Sequence, residues 1–463
     1  MNELLRTELP YHEDSAVLFE AVADRPWAVF LDSGRHYPLR ARYDIVAADP
    51  YATLVTRGAM TEVCGAGNEL SREDPFVLLR RHLGFDPQLA CDLPFSSGAI
   101  GYFSYDLARR FERLPECAVD DVRLPEMAVG LYDWAVIVDH CACRSWLVGR
   151  GRYTGTHSCW RELVARFSNP VLERRRTPFI VAAPITSNLS RAAYAAAFQR
   201  IFDYIDAGDC YQINLAQRFS APVSGDPWLA YQALRIVNPA PYAAYLRTPY
   251  GRILSTSPEG FLKTEYGSVT TRPVKGTRAR AGHPRLDAEI VRDLQSNEKD
   301  RAENLMIVDL LRNDLSKNCI PGSVKVPKLF EPESFSTVHH LVSTVTGKLR
   351  NDRDALDLLR GCFPGGSITG APKLRAMQII EELEPHRRGV YCGAIGYIGC
   401  DGNMDTNIAI RTLVCSGGRM YFSAGGGIVA ESRLDDEYQE TFDKAAVLLR
   451  FMQGLTAARA TGG

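Results

Sequence analysis

The first part of the chain, to about residue 165, is written in short apolar runs and apolar–polar alternations: RPWAVFLDSG, DIVAADPYATLVTRG, GAIGYFSYD, MAVGLYDWAVIVDH and SWLVGRGRY. Val, Ile, Tyr and Trp fill these runs and turn residues separate them, which predicts short strands in a mostly antiparallel sheet. The pattern fades over residues 168–188, where SNPVLERRRTPF and APITSN bring several prolines and three consecutive arginines. After this connection Ser190 can cap a helix whose apolar face holds Ala195, Phe198, Phe202 and Ile205, and Gly208 can close it. QINLAQRFSA, PYAAYLRT, GRILSTS and SVTTRPVKGT then predict strands. A long helical period runs from Leu286 to Asn313 with a break near Ser296-Asn297, and further helices are predicted over 372–383 and 435–452. Strands GAIGYIG, NIAIRTLVC and RMYFSAGGG lie between those two. No internal repeat is visible, and strands alternate irregularly with helices, so the expected class is α+β rather than a doubly wound parallel sheet.

Composition narrows the partners more than the fold. The 463 residues carry 54 Lys+Arg against 55 Asp+Glu, a formal net charge of −1. This removes the electrostatic case for nucleic acid or an anionic membrane as main partner, so the arginine run reads as a solvated connection. Twelve cysteines are scattered with no C-x-x-C pair, and Cys141-Ala-Cys143 lacks a second pair to complete a zinc site. Free thiols in a reducing compartment are expected. The opening MNELLRTELPYHEDS has acids where a signal peptide needs a basic start, and AVGLYDWAVIV is too short to span a bilayer. The expectation is a soluble, cytoplasmic protein.

Four features bear on chemistry. Gly365-Gly366-Ser367-Ile368-Thr369-Gly370-Ala371-Pro372 has phosphate-loop glycine spacing, but Ala371 and Pro372 stand where Lys and Ser/Thr are required. It reads equally as a loop offering backbone N–H groups to a carboxylate, with Pro372 at the first helical position, or as a plain turn. Ser423-Ala424-Gly425-Gly426-Gly427-Ile428 suits close approach of backbone to a ligand, or a bulge or tight corner. Asp300 and Glu303, and again Glu437 and Glu440, are three apart, so each pair shares a helix face and can offer hard oxygen ligands to Mg²⁺ or simply favour the helix dipole. Glu303 also shares a stripe with Ile307 and Leu310, which turns it inward. Lys275, between Val274 and Gly276, is either a solvated charge or, beside an electrophile, a nucleophile.

DCYQINLAQRF, STSPEGF, RPVKGT, DRAENLMIVDLLRND, VHHLVST, FPGGSITGAPK, CGAIGYIG, NIAIRTL, SAGGGIV and YQETFDK occur in this order, preceded by RYDIVAADP, SYDLARRFERLPE and VGLYDWAVIVDH. Over nearly its whole length the chain thereby resembles the chorismate-utilising enzymes. Within that family P-I-A-G-T is usual in anthranilate synthase component I and P-I/V-K-G-T in aminodeoxychorismate synthase component I. Lys275 puts the resemblance with the second group.

The resemblance implies a large unit of two packed, mainly antiparallel sheets flanked by helices. It divides the chain into an N-terminal region over residues 1–168 and a chorismate-binding region over 186–456, structurally intertwined. It implies that chorismate and ammonia are the substrates, that the Lys275 amine attacks C2 of chorismate as the C4 hydroxyl leaves, and that Glu259 protonates that hydroxyl. Mg²⁺ is the implied cofactor, held by Glu303 and Glu440 with Asp300 and Glu437 in support. Gly276, Thr277, His340, Thr369, Tyr397, Arg411, Gly425, Gly426 and Gly427 are the implied substrate contacts. The chain has no G-x-C-x-G elbow with an accompanying His-x-Glu, so ammonia is expected from a separate glutamine amidotransferase subunit. SPEGF departs from the common SPERF at Gly260. FLDSG and ARYDIV stand where anthranilate synthases bind feedback tryptophan, with the LLES-type signature incomplete, which leaves feedback control open. The rival readings are anthranilate synthase component I, another chorismate enzyme, and a non-catalytic regulatory subunit of an amidotransferase.

Overall fold

The computed structural model describes residues 4–34, 42–65, 67–170, 175–334 and 338–456; Ala41 of ARYDIV, Arg174 of the arginine run and the first three residues lie outside them. Among the described residues two large sheets, of 13 and 12 strands, carry the fold. Every ladder between their strands is antiparallel among the described residues. Both sheets are shared by distant parts of the chain. In the first, Val29–Asp32 pairs with Tyr242–Thr248, setting Leu31 opposite Ala244. In the second, Gly98–Phe103 pairs with Ala394–Gly399, setting Gly101 opposite Gly396.

Strands such as Gly98–Phe103, Met127–Tyr132 and Trp134–Asp139 are buried at every position. An antiparallel strand with one wet face would alternate, so unbroken burial means that both faces are covered. The inner faces meet in a cluster that takes Ile100, Tyr102 and Ala128 from one sheet and Ile45, Ile137 and Leu246 from the other. Helices cover the outer faces: Phe19, Phe167, Trp228 and Leu448 pack on the first sheet, and Phe76, Val308, Leu315 and Leu359 on the second. Each such side chain, fully withdrawn from water, contributes about 1.5–3 kcal/mol.

Local signals that act within a few residues are realised closely. The helix Arg191–Asp206 starts where Ser190 accepts a hydrogen bond from Ala193 N, and Gly208 follows its end at φ +77°. The long helical period is split into Pro284–Ser296 and Glu298–Ser316, because the Asn297 side chain accepts from Asp300 N at 2.9 Å and starts a new helix. The last two predicted helices are Lys373–Leu383 and Leu434–Gly454.

Elsewhere the chain departs from its pattern. Thr154–Ser168 is a helix within the stretch read as strands; only Thr156, Leu163 and Phe167 are buried on it, too sparse a stripe to show a helical period. Helices Pro75–Leu83, Pro227–Val237 and Ala355–Cys362 also pass unannounced, as do the strands Lys325–Ser334 and Val338–Lys348. SVTTRPVKGT breaks at Pro273 into Ser268–Thr271 and Val274–Ala279, and NIAIRTLVC breaks before Thr412–Ser416. Pro372 caps its helix at ψ 141° instead of occupying the first helical position. Among the described residues no helix is long and apolar enough to cross a membrane.

Candidate active site

A cavity of about 620 Å³ opens where the 274–279 strand, the 298–316 helix, the 419–428 strand and the 434–454 helix converge. Glu259, from the turn between Gly251–Ser257 and Gly260–Glu265, lines it together with Lys275, Gly276 and Thr277. Asp300 and Glu303 enter from the 298–316 helix and Glu440 from the 434–454 helix. His340, Arg411, Gly425 and Gly427 complete the predicted residues on its wall.

Local conformation explains several of these placements. Gly276 sits at φ +80° where the ladder shifts register between Val274 and Thr277, and a Cβ there would stand 2.9 Å from Leu294 Cδ1 and 3.1 Å from Asp300 Cγ. Glycine therefore lets the helix carrying Asp300 close onto the strand carrying Lys275. The triple glycine is neither bulge nor corner: it continues the strand Arg419–Ile428, paired with Ala216, Leu215 and Asn214. A Cβ on Gly426 would lie 2.9 Å from Glu437 Oε2 and 3.2 Å from Glu440 Oε1, so the bare backbone admits both acids against the sheet. Arg411 holds φ +48°, an unusual conformation for a residue with a side chain and of a kind that gathers at functional sites. Its carbonyl accepts from the N–H and hydroxyl of Thr256, each at 3.1 Å.

The carboxylates differ in environment. Burial pushes the Glu259 carboxyl above its ordinary range, opposed by the charge of Lys275 and by Ser367, whose hydroxyl donates to Glu259 Oε1 at 3.0 Å. Burial and the neighbouring Glu440 raise Glu437, although Ser432 donates to its Oε1 at 2.7 Å. Burial also works to raise Glu440, but Lys444, Lys299 and Lys275 together hold it below its usual value, with Lys444 Nζ at 2.5 Å. Asp300 pairs with Arg278 at 2.8 Å, and Thr277 Oγ1 meets His340 Nδ1 at 2.8 Å.

Four predicted residues do not line the cavity. Gly426 and Glu437 lie directly behind its wall, in contact range of each other as described. Thr369 is fully buried, its hydroxyl donating to the carbonyls of Gly365 at 3.1 Å and Gly366 at 3.3 Å, so it shapes the loop that presents Ser367 and Ile368. Tyr397 packs in the inter-sheet core, edge-on to Phe95 at 5.6 Å. The tyrosine on the wall is Tyr391, six residues earlier. Asn214, Ser367, Lys299 and Lys444 also line the cavity without having been singled out. The i,i+4 spacing of Glu440 and Lys444 was a readable signal for one of them; nothing local distinguishes Tyr391 from Tyr397.

The donor set suits Mg²⁺ chemically, being all carboxylate oxygen on two facing helices. Glu437 Oε2 is moreover buried with no hydrogen-bond partner among the described residues, an arrangement that a cation satisfies. Among the described residues, no three His, Cys, Asp or Glu side chains are yet gathered as a metal-holding group. The present partners of Glu440 and Asp300 are the cations Lys444 and Arg278.

A family model described as chorismate binding enzyme matches residues 29–450. The chain is 48% identical over 446 residues to the aminodeoxychorismate synthase component 1 of Salmonella typhimurium, covering 95% of this chain and 96% of that one. It is 47% identical over 450 residues to the protein of the same name from Escherichia coli K12, covering 96% and 98%. Among solved structures, anthranilate synthase component I from Streptococcus pneumoniae superposes with a TM-score of 0.81 at 32% identity, covering 89% of this chain and 93% of that one.

Proposed function

The chain belongs to the chorismate-binding enzymes, and from that premise we propose that it catalyses the aminodeoxychorismate synthase component 1 reaction, chorismate plus ammonia giving 4-amino-4-deoxychorismate and water. The observation that carries this reading is Lys275, which lines one cavity with the buried acid Glu259 and acts electrostatically upon it. The Lys275 amine bonds to C2 of chorismate while the C4–oxygen bond breaks. Glu259, which burial keeps protonated to higher pH than an exposed glutamate, gives its proton to the departing hydroxyl. Ammonia then bonds to C4 as the bond between C2 and Nζ breaks. A covalent lysine intermediate divides one difficult substitution into two easier ones.

Arg411, Thr277, His340 and the backbone about Gly425 and Gly427 take the carboxylates of the substrate, with Lys444 and Tyr391 added to that set. Glu303 and Glu440 would hold Mg²⁺, with Asp300 and Glu437 supporting, and the ion would supply positive charge to the ring carboxylate. The partner is a glutamine amidotransferase subunit, in keeping with the name component 1 borne by the relatives. A reducing cytoplasm suits the twelve free thiols.

Incubation of the purified chain with chorismate, ammonium and Mg²⁺, with and without an added lyase, tests this. Aminodeoxychorismate that becomes 4-aminobenzoate only with lyase supports it. Fluorescent anthranilate, isochorismate or unchanged chorismate refutes it.

A further inference from the structure

Gly260 is a glycine for a reason that lies outside its own backbone. Its φ is not in the left-handed region, so its conformation is open to other residues. The obstacle is Tyr242: a Cβ at position 260 would stand 2.5 Å from Tyr242 Oη and 2.6 Å from Cζ. The backbone beneath that ring is tied down, because Tyr242 pairs with Ser257 in the ladder and its carbonyl accepts from Asn407 Nδ2 at 2.9 Å. Asn407 is buried and is the cross-strand partner of Gly260 itself. The strand shifts register between Gly260 and Leu262, a bulge of the kind that re-aims a neighbouring side chain. That neighbour is Glu259, whose carbonyl accepts from Ile408 N at 3.0 Å.

Tyr242 thus packs directly against the segment that carries Glu259. We propose that Tyr242 is a positioning residue for Glu259: its ring fills the space that a side chain at 260 would take, and so fixes where the acid stands. The inference rests on the role given above to Glu259.

The test compares the full-length wild type with Gly260→Ala, Tyr242→Phe, Tyr242→Ala and the double variant Gly260→Ala/Tyr242→Ala, in ammonium-dependent turnover with Mg²⁺ across pH. A methyl at 260 forces ring or acid to move, so Gly260→Ala should lose kcat by on the order of 10–100-fold, with the chorismate KM within about threefold and the alkaline limb displaced. Removing the ring in that background should recover kcat several-fold, whereas Tyr242→Ala alone should lower it. Tyr242→Phe, which keeps the ring, should stay within about threefold of wild type. Wild-type kcat in Gly260→Ala overturns the proposal, as does a double variant no faster than Gly260→Ala. If Gly260→Ala does not fold, Tyr242→Ala decides: a lowered kcat with a displaced limb supports the role and an unchanged kcat removes it. An active wild type with no coupling sinks this inference alone, while a wild type inactive toward chorismate sinks the functional reading and this inference with it.

Discussion

The hydroxyl of Ser367 donates a 3.0 Å hydrogen bond to Oε1 of Glu259, across 108 residues of sequence. Burial raises the Glu259 carboxyl and this bond lowers it, because the donor favours the ionised form. Ser367→Ala should therefore raise it further. The acid must be protonated to act, so the alkaline limb of the rate profile should move to higher pH. Rates measured from pH 6 to 10 check this; a limb that stays in place or moves down removes Glu259 from the role of acid.

Lys275→Ala should form no covalent adduct with chorismate in the absence of ammonia, where the wild type should carry one on the Lys275 peptide. Lys275→Arg should not restore it, since a guanidinium stays protonated and offers no lone pair. Intact-protein and peptide mass spectrometry after brief exposure reads the adduct. Full synthesis by Lys275→Ala would exclude the nucleophile.

Glu303→Gln and Glu440→Gln should each abolish Mg²⁺-dependent turnover with little change in melting temperature, since shape is conserved and both side chains are partly exposed. Glu440→Gln also leaves Lys444 without its closest carboxylate. Mg²⁺ titrations of turnover alongside thermal melts decide it. Either variant retaining wild-type activity and metal dependence counts against the ligand set.

The two tyrosines make opposite predictions. Tyr391 lines the cavity, so Tyr391→Phe should lower kcat/KM between about twofold and tenfold, the range of one lost hydrogen bond. Tyr397 stands in the inter-sheet core, so Tyr397→Phe should leave kcat/KM within about twofold. Steady-state kinetics of the two variants distinguish them, and a reversed order would return Tyr397 to the substrate contacts.

Glutamine should support synthesis only when a glutaminase subunit is added, whereas ammonium should suffice without it. Synthesis from glutamine by the purified single chain would show that this polypeptide carries its own glutaminase.

What the sequence determined by itself was whatever depends on neighbours a few residues apart. The Asn297 cap that divides two helices, the closing Gly208, and the i,i+3 pairing of Asp300 with Glu303 all follow from helix geometry. Sequence strings sufficed for the family, and Lys275 within one string sufficed to choose the reaction to test. The tertiary structure decided which of two tyrosines six residues apart meets the cavity, and that Thr369 braces a loop while its neighbour Ser367 reaches the acid. It also decided that Arg411 turns at φ +48° and that Gly260 answers to a ring eighteen residues earlier. The physical reason is one of range. Helix period and capping are set by bonds that close within a turn, whereas the cavity wall is set by pairings such as Asn214 with Gly427, whose register is fixed by how two buried sheets and their covering helices pack together.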